Sequence, residues 1–212
     1  MKKAVVILAE GFEEGESLET VDILRRCGVG CDSVSIGERI VTGCNSIKAV
    51  ADYVMDEVNF NDYDMVILPG GMPGASNLAE DARVIETVQA FMKEGKYVAA
   101  ICAAPMVLKK AGVSAGRTLT SYPADKYRDL FTDSTYVDDQ IVVTDGNLIT
   151  SRGPATVFPF AYALAEVLGG NDETATERTL YNRLTDSWKN CMYDGSFPAL
   201  QEREGRLLLC NT

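Results

Sequence analysis

Three short runs in this 212-residue chain are almost wholly apolar, Lys3–Ala9, Met65–Leu68 and Lys96–Cys102, and a fourth, Cys31–Ile36, alternates apolar with polar residues as a strand does. Between them lie segments with helical spacing. Leu18, Val21 and Leu24 precede Cys27-Gly28, and Val84, Ile85, Val88, Phe91 and Met92 precede Gly95. Strands with no polar face must be covered on both sides, and helices between successive strands supply that cover. The pattern predicts an α/β fold, a three-layer α/β/α sandwich of flavodoxin-like kind around a mostly parallel sheet. Further strands are expected around Thr118–Thr120, Ile141–Thr144 and Leu148–Thr150, the last two joined by the hairpin signal Asp145-Gly146-Asn147. A short helix is expected over Pro105–Ala111 and a long one after Ser151-Arg152-Gly153-Pro154, closed by Gly169-Gly170. A last helix is expected over Asp172–Trp188.

Composition narrows the function classes. The formal net charge is −11, and the 20 Lys and Arg are scattered, so nucleic-acid binding is not expected. No apolar run approaches a bilayer span, and the start Met1-Lys2-Lys3 lacks the pattern of a signal peptide, so a cytoplasmic protein without membrane contact is the expectation. Six cysteines show no zinc-type spacing and histidine is absent, so no metal is expected. One domain over 1–188 is read, followed by an extension, 189–212, in which Gly195, Pro198 and Gly205 interrupt any helix.

In open α/β sheets, chemistry gathers at the carboxyl ends of the strands. Three loops qualify: Glu10–Glu16, Pro69–Gly74 and Cys102–Pro105. Cys102 sits where a strand turns sharply into a helix whose first N–H groups favour a thiolate; a buried, inert cysteine is the competing reading. Gly70 and Gly71 let backbone approach closely and suit an oxyanion hole shared with the amides after Cys102, although a plain tight turn has the same sequence. Glu13, Glu14, Glu16 and Glu19 read first as charge at a helix N-terminus. One of them, Glu16, is instead expected to face inward, gain a raised pKa, and serve as general acid and base beside Cys102.

Taken together, VVILAEGFEEGE near the start, the DxxxLPGG pattern at Asp64–Gly71, AAICAAP at Ala99–Pro105 and TSRGP at Thr150–Pro154 resemble the ThiJ/PfpI superfamily, its DJ-one-like group in particular, over residues 3–188. The resemblance implies a homodimer with an easily oxidised cysteine on a nucleophile elbow. It makes Cys102 that cysteine and Glu16 its carboxyl partner, with Gly70, Gly71 and Ala103 supplying backbone N–H groups. Arg152 and Pro154 match a loop near the pocket and dimer interface. Two departures stand out. Tyr122 occupies the place where many relatives carry histidine, which removes the base of a Cys-His protease. Asn45 occupies the place of an arginine that reaches the partner's pocket. Two functions are then open: a cofactor-free glyoxalase or deglycase acting on a small reactive carbonyl compound, and an oxidative-stress sensor in which Cys102 becomes a sulfinate.

Overall fold

The computed structural model describes residues 2–171 and the backbone of 200–203 and 206–209. In chain order the elements are β1 (Lys3–Leu8), α1 (Glu14–Arg26), β2 (Gly30–Ser35), β3 (Ile40–Thr42), β4 (Lys48–Val50), β5 (Tyr53–Val54), β6 (Met65–Leu68), α2 (Gly74–Glu80), α3 (Ala82–Lys93), β7 (Tyr97–Ile101), α4 (Pro105–Lys110), β8 (Thr118–Leu119), α5 (Asp125–Arg128), β9 (Thr135–Tyr136), β10 (Val142–Asp145), β11 (Leu148–Ser151) and α6 (Val157–Val167). The chain divides into two compact units, Met1–Thr174 and Ala175–Thr212. Of the second, the backbone of an antiparallel hairpin is described, β12 (Leu200–Arg203) with β13 (Arg206–Leu209). The helix expected over 172–188 and the rest of the extension lie outside the described residues.

Seven strands form the main sheet in the order β10-β11-β7-β6-β1-β2-β5. All neighbours are parallel except β10 and β11, the hairpin read from Asp145-Gly146-Asn147. Alternate residues of the central strands divide between the two faces. Val5, Ile7, Val66, Leu68, Val98 and Ala100 meet Leu78, Val84, Val88, Phe91, Val107 and Leu108 of α2, α3 and α4 in one buried cluster. The alternate residues Val6, Leu8, Ile67, Ala99 and Ile101 are fully buried too, and α1 packs against α6. Truncating one of these large aliphatic side chains to alanine costs about 2–5 kcal/mol.

Helix α1 departs from the expected register. Leu18 is 43% exposed, and the buried side carries Glu16, Ser17, Thr20, Ile23 and Leu24. Small hydroxyls tolerate the close contact with α6 because each finds a carbonyl one turn back: Ser17 Oγ donates to Glu13 O at 2.8 Å and Thr20 Oγ1 to Glu16 O at 2.6 Å. Hydropathy alone misplaced that face. Helix α2 and the strands β3, β4 and β5 were also absent from the sequence reading. Gly74–Glu80 is too short and Gly-initiated to show a period, and β3 and β4 form a separate two-stranded ribbon with exposed apolar residues Ile40 and Val50.

Candidate active site

Strands β1, β6 and β7 are adjacent, so the three loops that follow them meet at one edge of the sheet. Cys102 directly follows β7 with φ +63, a left-handed conformation that a side-chain-bearing residue adopts at a cost. Neighbouring backbone holds it there. Cys102 N–H donates to Ser151 O of β11 at 3.0 Å, and its carbonyl accepts from Tyr122 N–H at 2.7 Å. The turn lifts the thiol out of the sheet, 8% exposed, toward the loop after β6.

The double glycine of that loop is required by contact. A Cβ on Gly70 would stand 2.7 Å from both Cys102 Cβ and Glu16 Oε2, and one on Gly71, where φ is +86, would stand 2.4 Å from Glu13 N. Gly70 O accepts from Glu13 N–H at 2.9 Å, which ties the loop to the start of α1. Glu13 caps that helix, its Oε2 accepting from Glu16 N–H at 2.6 Å. Glu14, read as a solvated first-turn charge, is buried instead and accepts from Asn45 N, Asn45 Nδ2 and Ile47 N at 2.8, 2.9 and 3.2 Å. Burial pushes its pKa up, but these donors win and hold it below the usual carboxylate value.

Glu16 is 1% exposed, and its Oε2 accepts from Gly70 N–H at 2.8 Å. Its Oε1 is buried with no well-aligned partner among the described residues and lies on the side of Gly153. Burial pushes the carboxyl up to about 7, while hydrogen bonding to the Cys102 thiol and the Gly70 amide pulls the other way. Cys102 is also pushed upward, by burial first and then by the Glu16 carboxylate; the Gly71 and Ala103 amides act against that rise. The sequence reading expected the helix amides to favour a thiolate, with an inward-facing Glu16 of raised pKa beside it. With burial of the thiol added, the two groups hold at most one negative charge between them, and a thiolate is favoured when Glu16 carries the proton.

The expected residues therefore separate. Cys102 and Glu16 meet, and Gly71 and Ala103 direct N–H groups at the sulfur, whereas the Gly70 amide is engaged by Glu16 and is not free to serve an oxyanion. Asn45, Tyr122 and Pro154 line a cleft of about 320 Å³ over Cys102. Arg152 does not join them, because its Nη1 donates to Asp138 O. Sequence reasoning missed three contributors. Thr156 Oγ1 accepts from Gly153 N–H at 3.0 Å and so fixes the loop bearing Pro154. Lys126 and Tyr127 of α5 line the cleft; their segment carries no periodic signal. Tyr127 packs edge-on against Tyr122 with ring centroids 6.0 Å apart. Among the described residues no cluster of three or more Cys, Asp or Glu side chains gathers as a metal-ligand set.

Residues 2–167 match the DJ-1/PfpI family. The chain belongs to that family. It is 42% identical over 173 residues to Protein dj-1beta of Drosophila melanogaster, across 81% of this chain and 92% of the relative. It is 35% identical over 176 residues to the Glutathione-independent glyoxalase DJR-1.2 of Caenorhabditis elegans, across 82% and 92%. The crystal structure of Drosophila melanogaster DJ-1beta superposes with a TM-score of 0.78 at 41% identity, covering 82% of this chain and 94% of that one. The α/β, flavodoxin-like architecture read from the sequence is that of the family. Among the described residues no helix is long and apolar enough to cross a membrane.

Proposed function

We propose that this family member is a cofactor-free glyoxalase of small α-oxoaldehydes, with Cys102 as nucleophile and Glu16 as acid and base. The observation that carries the reading is the pairing of a strained, elbow-borne thiol with a buried carboxyl whose pKa is raised to about 7. A group titrating near neutrality can give a proton in one step and take one in the next. The Cys102 sulfur attacks the aldehyde carbon, a C–S bond forms, and the carbonyl oxygen takes the proton from Glu16. The Glu16 carboxylate then removes the hydrogen on that carbon to give an enediol and returns it to the neighbouring, former ketone carbon, while the hydroxyl proton passes from the first oxygen to the second, leaving the thioester of an α-hydroxy acid. Water breaks the C–S bond, and the products are the hydroxy acid and the free thiol. The relative from Caenorhabditis elegans whose name states such an activity supports the reading.

The test is to incubate the protein and its Cys102→Ala and Glu16→Gln variants with methylglyoxal and follow lactate. Turnover by the unaltered protein no faster than by Cys102→Ala would refute it. A second reading, peroxide oxidation of Cys102 to a sulfinate, is favoured by the same Gly71 and Ala103 amides, which would donate to a sulfinate oxygen as readily as to the sulfur. We also infer a homodimer, since Ile40, Ile47 and Val50 of the β3–β4 ribbon are more than half exposed. Sedimentation equilibrium at the monomer mass would refute that.

A further inference from the structure

The walls of the Cys102 cleft are mainly apolar or aromatic, and one carboxylate residue, Glu13, and one ammonium residue, Lys126, line it with the thiol. Glu13 is occupied in capping α1. Lys126 is different. Among the described residues no carboxylate lies within 4 Å of its ammonium, whereas Lys3, Lys96 and Lys109 pair with Asp32, Glu94 and Asp133 at 2.6, 3.2 and 2.8 Å. Lys126 Nζ instead stands 4.8 Å from the centroid of the Tyr127 ring. Tyr127 is buried, so its ring is a fixed platform that keeps the ammonium at the rim of the cleft.

An unpaired cation is costly to ignore in a chain of net charge −11, whose general field repels anions. Asn45 does not compensate, because its Nδ2 is taken by Glu14 at 2.9 Å. A neutral dicarbonyl makes no use of the ammonium. A substrate with one carboxylate beyond its reacting carbonyl satisfies it, and a phosphate dianion fits less well, because Glu13 shares the lining and the cation count is one.

We propose that Lys126 makes this cleft selective for small carbonyl compounds that carry a carboxylate. Their reacting carbon meets Cys102 while the carboxylate meets the Lys126 ammonium. The substrate class named in this way rests on the α-oxoaldehyde reading above.

The test reads binding without turnover. Cys102 is alkylated with iodoacetate and, separately, with iodoacetamide; in each case an S–C bond forms, the C–I bond breaks and iodide leaves. The two reagents differ by a carboxylate against a neutral amide, and the rate at Cys102 is followed by peptide mass spectrometry. For an exposed ion pair worth ~0.2–1 kcal/mol, Lys126→Ala lowers the iodoacetate-to-iodoacetamide ratio about threefold, Lys126→Glu lowers it about tenfold, and Lys126→Arg keeps it within about twofold. A parallel comparison sets kcat/KM for methylglyoxal against that for an α-oxoaldehyde with a tail carboxylate, and K126E is expected to lose the second selectively. An unchanged ratio overturns the proposal. Equal loss with both reagents overturns it too, since Lys126 would then be acting on the thiol. Absence of methylglyoxal turnover with the ratio still dependent on Lys126 refutes the glyoxalase reading and leaves the carboxylate site standing.

Discussion

Replacing Glu16 with glutamine exchanges a buried ionisable group for a neutral one of the same shape. In the folded chain the carboxyl titrates near 7 against an ordinary value of 4.5. At roughly 1.4 kcal/mol per pKa unit, keeping it buried and ionised above neutrality costs about 3 kcal/mol. The sign follows from proton counting. Between pH ~4.5 and ~7 the folded state holds the proton and the unfolded state has released it, so wild-type stability falls as pH rises through that window and levels off above it. Glutamine has no proton to lose, and its amide oxygen still accepts from Gly70 N–H. Glu16→Gln should therefore match wild type near pH 4.5 and exceed it by about 3 kcal/mol at pH 8. For a chain of this size that is a gap of roughly 6–12 °C in Tm. Thermal melts of both proteins across this range give the difference directly, and titrations common to both cancel. The same variant should lose about 10²–10⁴-fold in methylglyoxal turnover. A stability difference that does not change with pH would refute the buried, proton-holding Glu16.

Other perturbations bear on the rest of the site. Gly70→Ala drives a methyl to 2.7 Å from Cys102 Cβ and Glu16 Oε2, and should cost about 2–3 kcal/mol in urea melts together with most of the Cys102 reactivity. Glu14→Ala removes three N–H hydrogen bonds and a weak thiol one from the turn between β3 and β4 and should cost about 2–3 kcal/mol, with faster amide exchange at Asn45 and Ile47. Thr156→Val leaves Gly153 N–H without its acceptor and should cost about 1–2 kcal/mol while raising KM more than it lowers kcat. Mild peroxide should add two oxygens at Cys102, read by peptide mass, and Glu16→Gln should change the amount that accumulates.

The sheet was legible because strands buried on both faces must be apolar throughout. β6 was found to the residue, and β1 and β7 within one at each end. Helix α1 was legible as a helix but not in its orientation. Its inward side carries the buried Glu16, Ser17 and Thr20, polar residues that a hydrophobic pattern assigns to solvent. The elbow and double glycine were legible because both are backbone requirements, and backbone requirements restrict residue type. What Gly70 does with its amide was not, since it depends on where Glu16 Oε2 ends up across a separation of 54 residues.

Lys126 lies in a four-residue helix too short to show a period, and the absence of histidine leaves the proposed acid–base role to a carboxyl. Histidine's usefulness lies in titrating near neutrality, and a carboxyl reaches that range once burial outweighs its hydrogen bonds, as Glu16 does. In the proposed mechanism the acid–base role is thus a property of the pocket and not of the residue type. Tyr122 serves as a wall of the cleft that packs on Tyr127, and Tyr127 in turn supports the Lys126 ammonium. Under the two proposals, proton transfer falls to the buried Glu16 and charge selection to the exposed Lys126 at the rim of the same cleft.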